Sequence, residues 1–488
     1  MAILLAAGAG ILPALAEHPA TKQLSPALQR LVGQLPAGER LAVIVHLRSQ
    51  APLAALPDRP GRAELQQAVI ETLQSRAALA QKSLLGELRA AQARGEAGQV
   101  IPLWINNSIM VEAGPDLLNM LAQRSDVAQI VPDYDPSNPI VPAGESLGPE
   151  PVQSLPALRQ AGPPEPNLGV IGATDLWALG NTGQGITVAV LDTGVDATHP
   201  DLAGRYRGGT NSWYDPYGQH AAPFDYLGHG TWATGVIVGD GTGNGTTSRS
   251  TGVAPGAQWI AAKIFPTPPR PQSYAAVHQA FQWVLDPDGN PATADAPQVV
   301  NNSWDFTTPG CNLEFQPDLL ALRAAGILPV FAAGNAGPSA NTSLSPANNQ
   351  GVFSVGAVNN AGLVVDISSR GANACDPMRV FPSVVAPGAS IITTDLLSGY
   401  IPETGTSLAA PHASGGLALL LSAYPHLSPE LQERLLVRGA VDLGAVGPDP
   451  DYGNGLLNLP AALAALRRIY VPYLGMPIVQ FYLPVVLR

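Results

Sequence analysis

Three segments of the chain each carry one residue that could take part in nucleophilic catalysis. "VLDTGVDATHPDL" places Asp192 directly after an apolar run, "GHGTWATGVIVG" places His229 between two glycines, and "GTSLAAPHASG" places Ser407 at the start of a helical pattern. A serine hydroxyl is a weak nucleophile until a base takes its proton, and the base needs an acidic partner that fixes its tautomer. Asp, His and Ser supply these three roles if the fold brings them together.

Each residue also has a plainer interpretation. Serine at a helix start is usually an N-cap, Asp192 could be a turn residue, and His229 could be a hydrogen-bonded core histidine. Taken one at a time, the residues favour these plainer interpretations.

Taken together, the three segments resemble the signature segments of the subtilisin-like serine proteases (subtilases), in that family's order of Asp, His and Ser. The resemblance covers about residues 167–465. Details of "NLGVIGATDLWALGNTGQGITVAV" and "VVNNSW" are most similar to the bacillopeptidase F-like branch. The resemblance implies that Asp192 orients the base, that His229 is the general base and acid, and that Ser407 is the nucleophile of a peptide-bond hydrolase.

The same resemblance implies how the oxyanion of the reaction intermediate is stabilised. "FAAGNAGPS" supplies Asn335 after a buried strand, where the family has its oxyanion-hole asparagine. The second donor would be the backbone N–H of Ser407, at a helix N-terminus that carries partial positive charge. The plainer interpretation of Asn335 is a turn former beside Gly334 and Gly337.

Peptide substrates bind proteases of this family as an added strand, which needs backbone edges more than side chains. By resemblance, one segment flanks the substrate and another forms a wall of the first specificity pocket. The expected substrate-binding residues are Ser303, Trp304, Asp305, Ala332, Ala333 and Gly334. Asp305 stands where the family often has glycine. It could narrow the pocket, favour a positively charged side chain, or point to solvent, and the last of these is the plainest.

The resemblance implies no cofactor for the chemistry, but it suggests a structural calcium ion. Asp201 in "THPDL" stands where the family often has a calcium-ligating carboxylate, and the loop 239–252 is rich in the oxygen atoms that calcium prefers. Asp240 is the one carboxylate in that loop, which matches the family's calcium loop poorly. The loop is not a phosphate cradle, because no Gly-Lys-Ser/Thr follows.

Alternating apolar strands and amphipathic helices predict an α/β domain with a mostly parallel sheet over residues 167–467. Strands are expected at 186–192, 298–304, 327–335 and 351–359, with helices at 275–286 and 316–326. Active residues gather at the carboxyl ends of such strands. The family implies a three-layer α/β/α fold.

Residues 35–133 predict a small α+β unit with the ferredoxin-like order β-α-β-β-α-β, including a long helix over 62–94. The unit resembles, more weakly, the I9-like inhibitory pro-domain of subtilases, and an independent accessory domain is the alternative. The proline-rich residues 134–166 are expected to be a linker in which the pro-domain is severed. The tail 468–488 contains Pro472, which argues against one helical span, so an edge strand or a recognition tail is expected.

The composition and the N-terminal residues indicate which partners and which compartment to expect. The 488-residue chain has a formal net charge of −12, which argues against nucleic acid. Residues 1–16 resemble a secretory signal peptide that lacks its usual positive charge, and they are too short and too interrupted for a stable membrane span. In an exported protein Cys311 and Cys375 could form a disulfide or remain two buried thiols.

The sequence therefore predicts a secreted serine endopeptidase made as a precursor, with protein or peptide substrates and its own pro-domain as inhibitor. Two alternatives are a catalytically silent relative that acts as a binding module, and an enzyme that cuts only itself.

Overall fold

The computed structural model describes residues 24–36, 38–56, 61–143, 163–241 and 250–474. The predicted signal peptide, residues 144–162 of the predicted linker and residues 475–488 of the tail lie outside these ranges. The chain divides into two units, one of residues 1–58 with 71–133 and the other of residues 59–70 with 134–488.

The first unit contains a four-stranded antiparallel sheet in the order β2-β3-β1-β4. Its strands are β1 Leu41–Leu47, β2 Ala97–Leu103, β3 Ser108–Ala113 and β4 Val127–Pro132, and the helices of this part of the chain are α1 Pro26–Val32, α2 Arg62–Ala80, α3 Lys82–Ala93 and α4 Pro115–Ala122. The long helix expected over 62–94 is therefore two helices that meet at Gln81. Leu84 and Leu88, spaced by one turn of α3, pack on Val43 and Val45 of β1.

The second unit contains a seven-stranded parallel sheet in the order β13-β12-β11-β9-β6-β8-β7. The strands of this unit are β5 Ile140–Pro142, β6 Thr187–Asp192, β7 Trp213–Tyr214, β8 Gln258–Lys263, β9 Val299–Asn302, β10 Trp304–Phe306, β11 Leu328–Ala332, β12 Phe353–Val358, β13 Val384–Pro387, β14 Ile391–Thr394 and β15 Tyr400–Glu403. Its helices are α5 Pro166–Val170, α6 Ala173–Ala178, α7 Pro200–Ala203, α8 His229–Val238, α9 Tyr274–Leu285, α10 Gln316–Ala324, α11 Thr406–Ala423, α12 Pro429–Gly439 and α13 Leu459–Leu474.

Strand β11 shows how the layers form. Val330 and Ala332 lie in the apolar cluster that contains Leu417 of α11, whereas Phe331 contacts Trp304, with ring centroids 5.3 Å apart. Trp304 in turn lies 6.3 Å from Phe281 of α9. Alternate residues of a strand point to opposite faces, so helices cover both faces of the sheet. The predicted three-layer α/β fold is confirmed.

The structure resolves two points that the sequence left open. Cys311 and Cys375 form a disulfide. Helix α13 packs on the core through Leu459 and Leu463 and includes Pro472 in its last turn, so residues 468–474 of the predicted tail are helical and not an edge strand. In the part of the chain that the structure describes, no helix has the length and apolar character needed to cross a membrane.

Candidate active site

The predicted site residues of the second unit follow neighbouring strands of the parallel sheet. Strands β11, β9 and β6 lie side by side and end at Ala332, Asn302 and Asp192. Because the strands are parallel, their carboxyl ends meet at one edge of the sheet. Asp192 ends β6, Ser303 follows β9, and Asn335 follows β11 by three residues.

Asp192 and His229 form a buried hydrogen-bonded pair. Nδ1 of His229 lies 2.8 Å from Oδ1 of Asp192, and the two residues are 2% and 1% exposed. A carboxylate can only accept, so the Nδ1 proton of the imidazole donates to it and Nε2 is the nitrogen left for proton exchange. The backbone N–H of Thr193 donates to the same carboxylate oxygen at 2.7 Å and fixes its position.

His229 is the first residue of α8, and Asp225 holds the start of that helix. One carboxylate oxygen of Asp225 accepts from the backbone N–H of Gly228 at 3.0 Å, and the other accepts from the N–H and hydroxyl of Thr231 at 3.0 and 2.8 Å. These bonds satisfy N–H groups that the first helical turn leaves unpaired. Burial raises the pKa of Asp225.

Gly230 allows α8 to approach the end of β6. A Cβ at this position would lie 2.0 Å from the carbonyl oxygen of Gly194 and 3.0 Å from the Cβ of Asp192. Only a residue without a side chain permits this approach, which brings the helix start within hydrogen-bonding distance of Asp192.

Ser407 is the second residue of α11, and α11 packs against α8. Leu408 lies in one apolar cluster with Trp232 and Val236 of α8, so the N-terminal ends of the two helices are neighbours. A Cβ built on Gly405 would have Oγ of Ser407 at 3.1 Å and Nδ2 of Asn335 at 3.3 Å as its two nearest atoms. The hydroxyl and the amide nitrogen therefore face the same small space.

Thr406 fixes the side chain of Asn335. The amide oxygen of Asn335 accepts from the backbone N–H of Thr406 at 3.0 Å and from its hydroxyl at 3.1 Å. Nδ2 of Asn335 is buried and has no hydrogen-bond partner among the described residues. A buried donor without an acceptor is costly, so this amide group is preorganised for an acceptor that arrives with substrate.

The side chains of the expected substrate-binding residues mostly hold the edge strand in place, by hydrogen bonding or by packing in the core. The hydroxyl of Ser303 donates to the carbonyl oxygen of Ser407 at 2.8 Å and links the edge strand to α11. The ring of Trp304 packs in the core against Phe331 and Phe315, so only its backbone lies at the edge. Ala332 and Ala333 are fully buried, and the N–H of Gly334 donates to the hydroxyl of Thr406 at 3.1 Å.

Asp305 does not point to solvent. It is 3% exposed, and its Oδ2 has no hydrogen-bond partner among the described residues, so the plainest of the three expectations for this residue is wrong. The pKa of Asp305 is raised to about 8, because the effect of burial outweighs the opposing effect of nearby His229. At neutral pH this carboxyl group is therefore largely protonated and carries no full charge.

Sequence reasoning missed Asp225 and also Lys263, which ends β8 opposite Asp192. Nζ of Lys263 donates to the carbonyl oxygen of Thr193 at 2.5 Å and lies 4.4 Å from the ring centroid of Tyr226. The pKa of Lys263 is lowered to about 8, because the effect of burial outweighs the opposing effect of three aspartates, Asp225 and Asp192 among them. A lysine that ends an apolar strand is the signal that could have found it.

The candidate calcium ligand Asp201 is buried at the start of α7, and its carboxylate accepts from the hydroxyl of Tyr400. Asp240 forms an ion pair with Arg205 at 2.9 Å, and residues 242–249 of the candidate calcium loop lie outside the described ranges. Among the described residues, a group of three carboxylates that could hold a metal ion lies elsewhere. It contains Asp286, Asp288 and Asp295, with ligand atoms within 4.8 Å of one another.

Comparison with known proteins agrees with this geometry. Residues 183–455 match the profile of the subtilase family, Peptidase S8. This range begins before Asp192 and ends after Ser407. The chain belongs to the subtilase family.

Named relatives of this subtilase place it further. It is 33% identical over 426 residues to bacillopeptidase F of Bacillus subtilis, an alignment that covers 82% of this chain and 28% of that protein. It is 32% identical over 295 residues to subtilisin DY of Bacillus licheniformis, covering 60% of this chain and 96% of that protein. The chain is a serine-type endopeptidase of the bacillopeptidase F-like branch, and subtilases need no cofactor for catalysis.

Proposed function

We propose that this subtilase is a secreted endopeptidase that hydrolyses peptide bonds in proteins through an acyl-enzyme on Ser407. The observation that carries the proposal is the buried pair of His229 and Asp192 at the sheet edge where Ser407 and Asn335 face one space. His229 takes the proton of Ser407 as the hydroxyl attacks, and Asp192 stabilises the imidazolium that forms.

The oxyanion formed by that attack accepts hydrogen bonds from Nδ2 of Asn335 and the backbone N–H of Ser407. Both donors are fixed before substrate arrives, the first by Thr406 and the second by α11, whose N-terminus carries partial positive charge. His229 then gives its proton to the leaving amine, and water hydrolyses the ester in a second round of the same steps.

Casein hydrolysis by the purified enzyme tests this proposal. We expect hydrolysis that a serine-directed phosphonate blocks and that Ser407→Ala abolishes. A silent relative acting as a binding module would show no hydrolysis in either protein, and an enzyme that cuts only itself would process its own chain but leave casein intact. Equal activity of wild type and Ser407→Ala would refute the assignment of the nucleophile.

We propose further that the enzyme is made as a precursor with a signal peptide at 1–16 and an inhibitory pro-domain at 35–133. The four-stranded antiparallel sheet of the first unit supports the second part, because it has the predicted order of elements. One relative carries the name Major intracellular serine protease, so secretion needs its own test. Mass spectrometry of the culture medium should find a chain that lacks both segments; mature enzyme found only inside cells would contradict secretion.

A structural calcium ion at Asp201 is the last part of the proposal. The buried carboxylate of Asp201 and the oxygen-rich loop 239–252 support it. EDTA should lower the melting temperature of the wild type but not that of Asp201→Asn. Asp288→Asn, in the other acidic group, is the matched comparison. Identical melts with and without EDTA would contradict any calcium site, and loss of the EDTA effect in Asp288→Asn alone would place the ion there instead.

A further inference from the structure

A short strand of the chain itself lies along the proposed substrate edge. Strand β5 pairs antiparallel with β10, with Ile140 opposite Phe306, Val141 opposite Asp305 and Pro142 opposite Trp304. The ladder continues at both ends, because the N–H of Ala143 donates to the carbonyl oxygen of Ser303 at 2.8 Å and the N–H of Thr307 donates to the carbonyl oxygen of Pro139 at 3.1 Å. Residues 139–143 are therefore bound as an added strand.

This strand is buried although the sequence predicts a linker there. Ile140 is 0% exposed, Val141 6% and Ala143 1%. Asn138 adds a further anchor, because its side-chain oxygen accepts from the backbone N–H of Thr308 at 2.9 Å. A linker that only connects two domains lies on the surface, whereas these four consecutive residues, Pro142 included, are buried at the edge of the sheet.

The end of the strand lies at the catalytic groups. The third-nearest atom to a Cβ built on Gly405 is the carbonyl oxygen of Ala143, at 3.7 Å, after Oγ of Ser407 and Nδ2 of Asn335. The carbonyl group of Ala143 thus shares one small space with the nucleophile and with the buried amide donor that lacks an acceptor. We propose that the peptide bond following Ala143 is the bond that this enzyme cuts to mature itself.

The inference rests on the proposed function, and its chemistry uses the same groups. Oγ of Ser407 bonds to the carbonyl carbon of Ala143, and its proton passes through His229 to the backbone nitrogen of Gly144. The C–N bond breaks, which leaves an ester between Ala143 and Ser407 and a new amino terminus at Gly144. Water then hydrolyses the ester and restores the serine hydroxyl, so the released N-terminal segment ends in a carboxylate at Ala143.

The register also assigns the residue types that the subsites accept. Ala143, next to the cut bond, is 1% exposed and lies in the same apolar cluster as Ala332, so the side chain before the cut is enclosed by apolar groups. Asp305 lies opposite Val141, two residues before Ala143, and so does not select a positive charge next to the cut bond. The enzyme therefore prefers a small uncharged residue before the cut, with proline and aliphatic residues preceding it.

N-terminal sequencing and intact-mass measurement of the processed full chain test the cut site. We expect a mature amino terminus at Gly144 in the wild type and no cut in Ser407→Ala. Ala143→Arg should slow processing by about tenfold or more, because a long charged side chain does not fit at a buried position enclosed by apolar groups. Ser137→Ala, an exposed position outside the paired strand, is the control and should be processed at the wild-type rate.

A peptide assay keeps the inference testable if Ala143→Arg fails to fold. Mature wild-type enzyme should cut Ile-Val-Pro-Ala-Gly-Glu after alanine, and about tenfold or more faster than the same peptide with arginine in place of alanine. If the enzyme cuts casein but matures at another residue, or prefers the arginine peptide, this inference is wrong and the proposed function stands. If neither casein nor the chain is cut, the proposed function fails and this inference fails with it.

Discussion

His229 at the start of α8 and His412 inside α11 are both buried, yet their surroundings suit them to different tasks. His229 is hydrogen-bonded to the carboxylate of Asp192. Nδ1 of His412 donates to the carbonyl oxygen of Leu408 at 2.7 Å, and its Nε2 accepts from Nδ2 of Asn167 at 2.8 Å. Burial lowers the pKa of His412 to about 4, so this ring stays neutral near pH 7. The comparison teaches that a histidine base needs an anionic partner to carry a proton during the reaction.

His278 on α9 shows the opposite extreme. Its two ring nitrogens lie 3.0 Å from Asp318 and 3.1 Å from Glu314. Burial lowers the pKa of His278, but the two carboxylates outweigh burial and raise it to about 10. This ring remains charged at neutral pH. Three buried histidines thus differ chiefly in how many carboxylates they are hydrogen-bonded to.

The largest effect should come from removing the histidine with one carboxylate. His229→Ala is expected to lower kcat/KM by about 10⁴- to 10⁶-fold, as loss of a triad member does in serine proteases. His412→Gln keeps a donor and an acceptor, so its activity should stay within about tenfold of wild type. Turnover of a fluorogenic peptide measures both. Comparable losses in the two variants would show that the carboxylate partner does not distinguish the rings.

The sequence could predict the candidate catalytic residues because the pattern that identifies each one lies within a short segment of the chain. Asp192, His229 and Ser407 each lie in a segment whose glycines and apolar runs identify it, and the apolar strands predicted the sheet that collects them. Contacts between helices could not be predicted in this way. Nothing beside His278 in the chain reveals Asp318, 40 residues away, because α9 and α10 meet only in the folded protein.

The sequence also does not reveal the roles of Asp225, of residues 140–142 and of the two cysteines, because each depends on contacts made only in the folded chain. Asp225 lies only four residues before His229, but its role depends on the turn that points its carboxylate at the helix start. The strand 140–142 reads as linker because its partner, β10, is about 160 residues away in the chain. Disulfide pairing needs the same long-range information, since Cys311 and Cys375 are separated by 64 residues.

The second effect concerns folding stability rather than catalysis. His278→Gln leaves the buried carboxylates of Asp318 and Glu314 without their cation and should lower the free energy of unfolding by about 3–5 kcal/mol. Urea denaturation of phosphonate-inactivated enzyme avoids autolysis and measures this loss. Adding Asp318→Asn to the variant removes one of the two charges and should recover part of the stability. An unchanged free energy of unfolding in His278→Gln would show that the ring is not charged.

The same ring should also make the folding stability fall with pH on the alkaline side, by a smaller amount per pH unit than its removal costs. The pKa of His278 is about 10 in the folded protein against about 6.5 unfolded, so the folded state holds a proton that the unfolded state releases. This contribution is complete below pH 6.5 and falls by up to about 1.4 kcal/mol per pH unit until it is lost above pH 10. Urea denaturation between pH 7 and 10 should show the slope in wild type and a flatter slope in His278→Gln. Parallel slopes would contradict the assignment.

The smallest expected effect is a loss of folding stability at acidic pH that depends on His412. Its pKa of about 4 in the folded protein lies below the unfolded value of about 6.5, so the unfolded state takes up a proton that the folded state refuses. Its contribution is complete above pH 6.5 and is lost as the pH falls towards 4, by up to about 1.4 kcal/mol per pH unit. Measurements between pH 5 and 6.5 stay above the range in which ordinary carboxylates titrate. His412→Gln should lose this part of the acid slope while His278→Gln keeps it, and the reverse result would exchange the roles of the two rings.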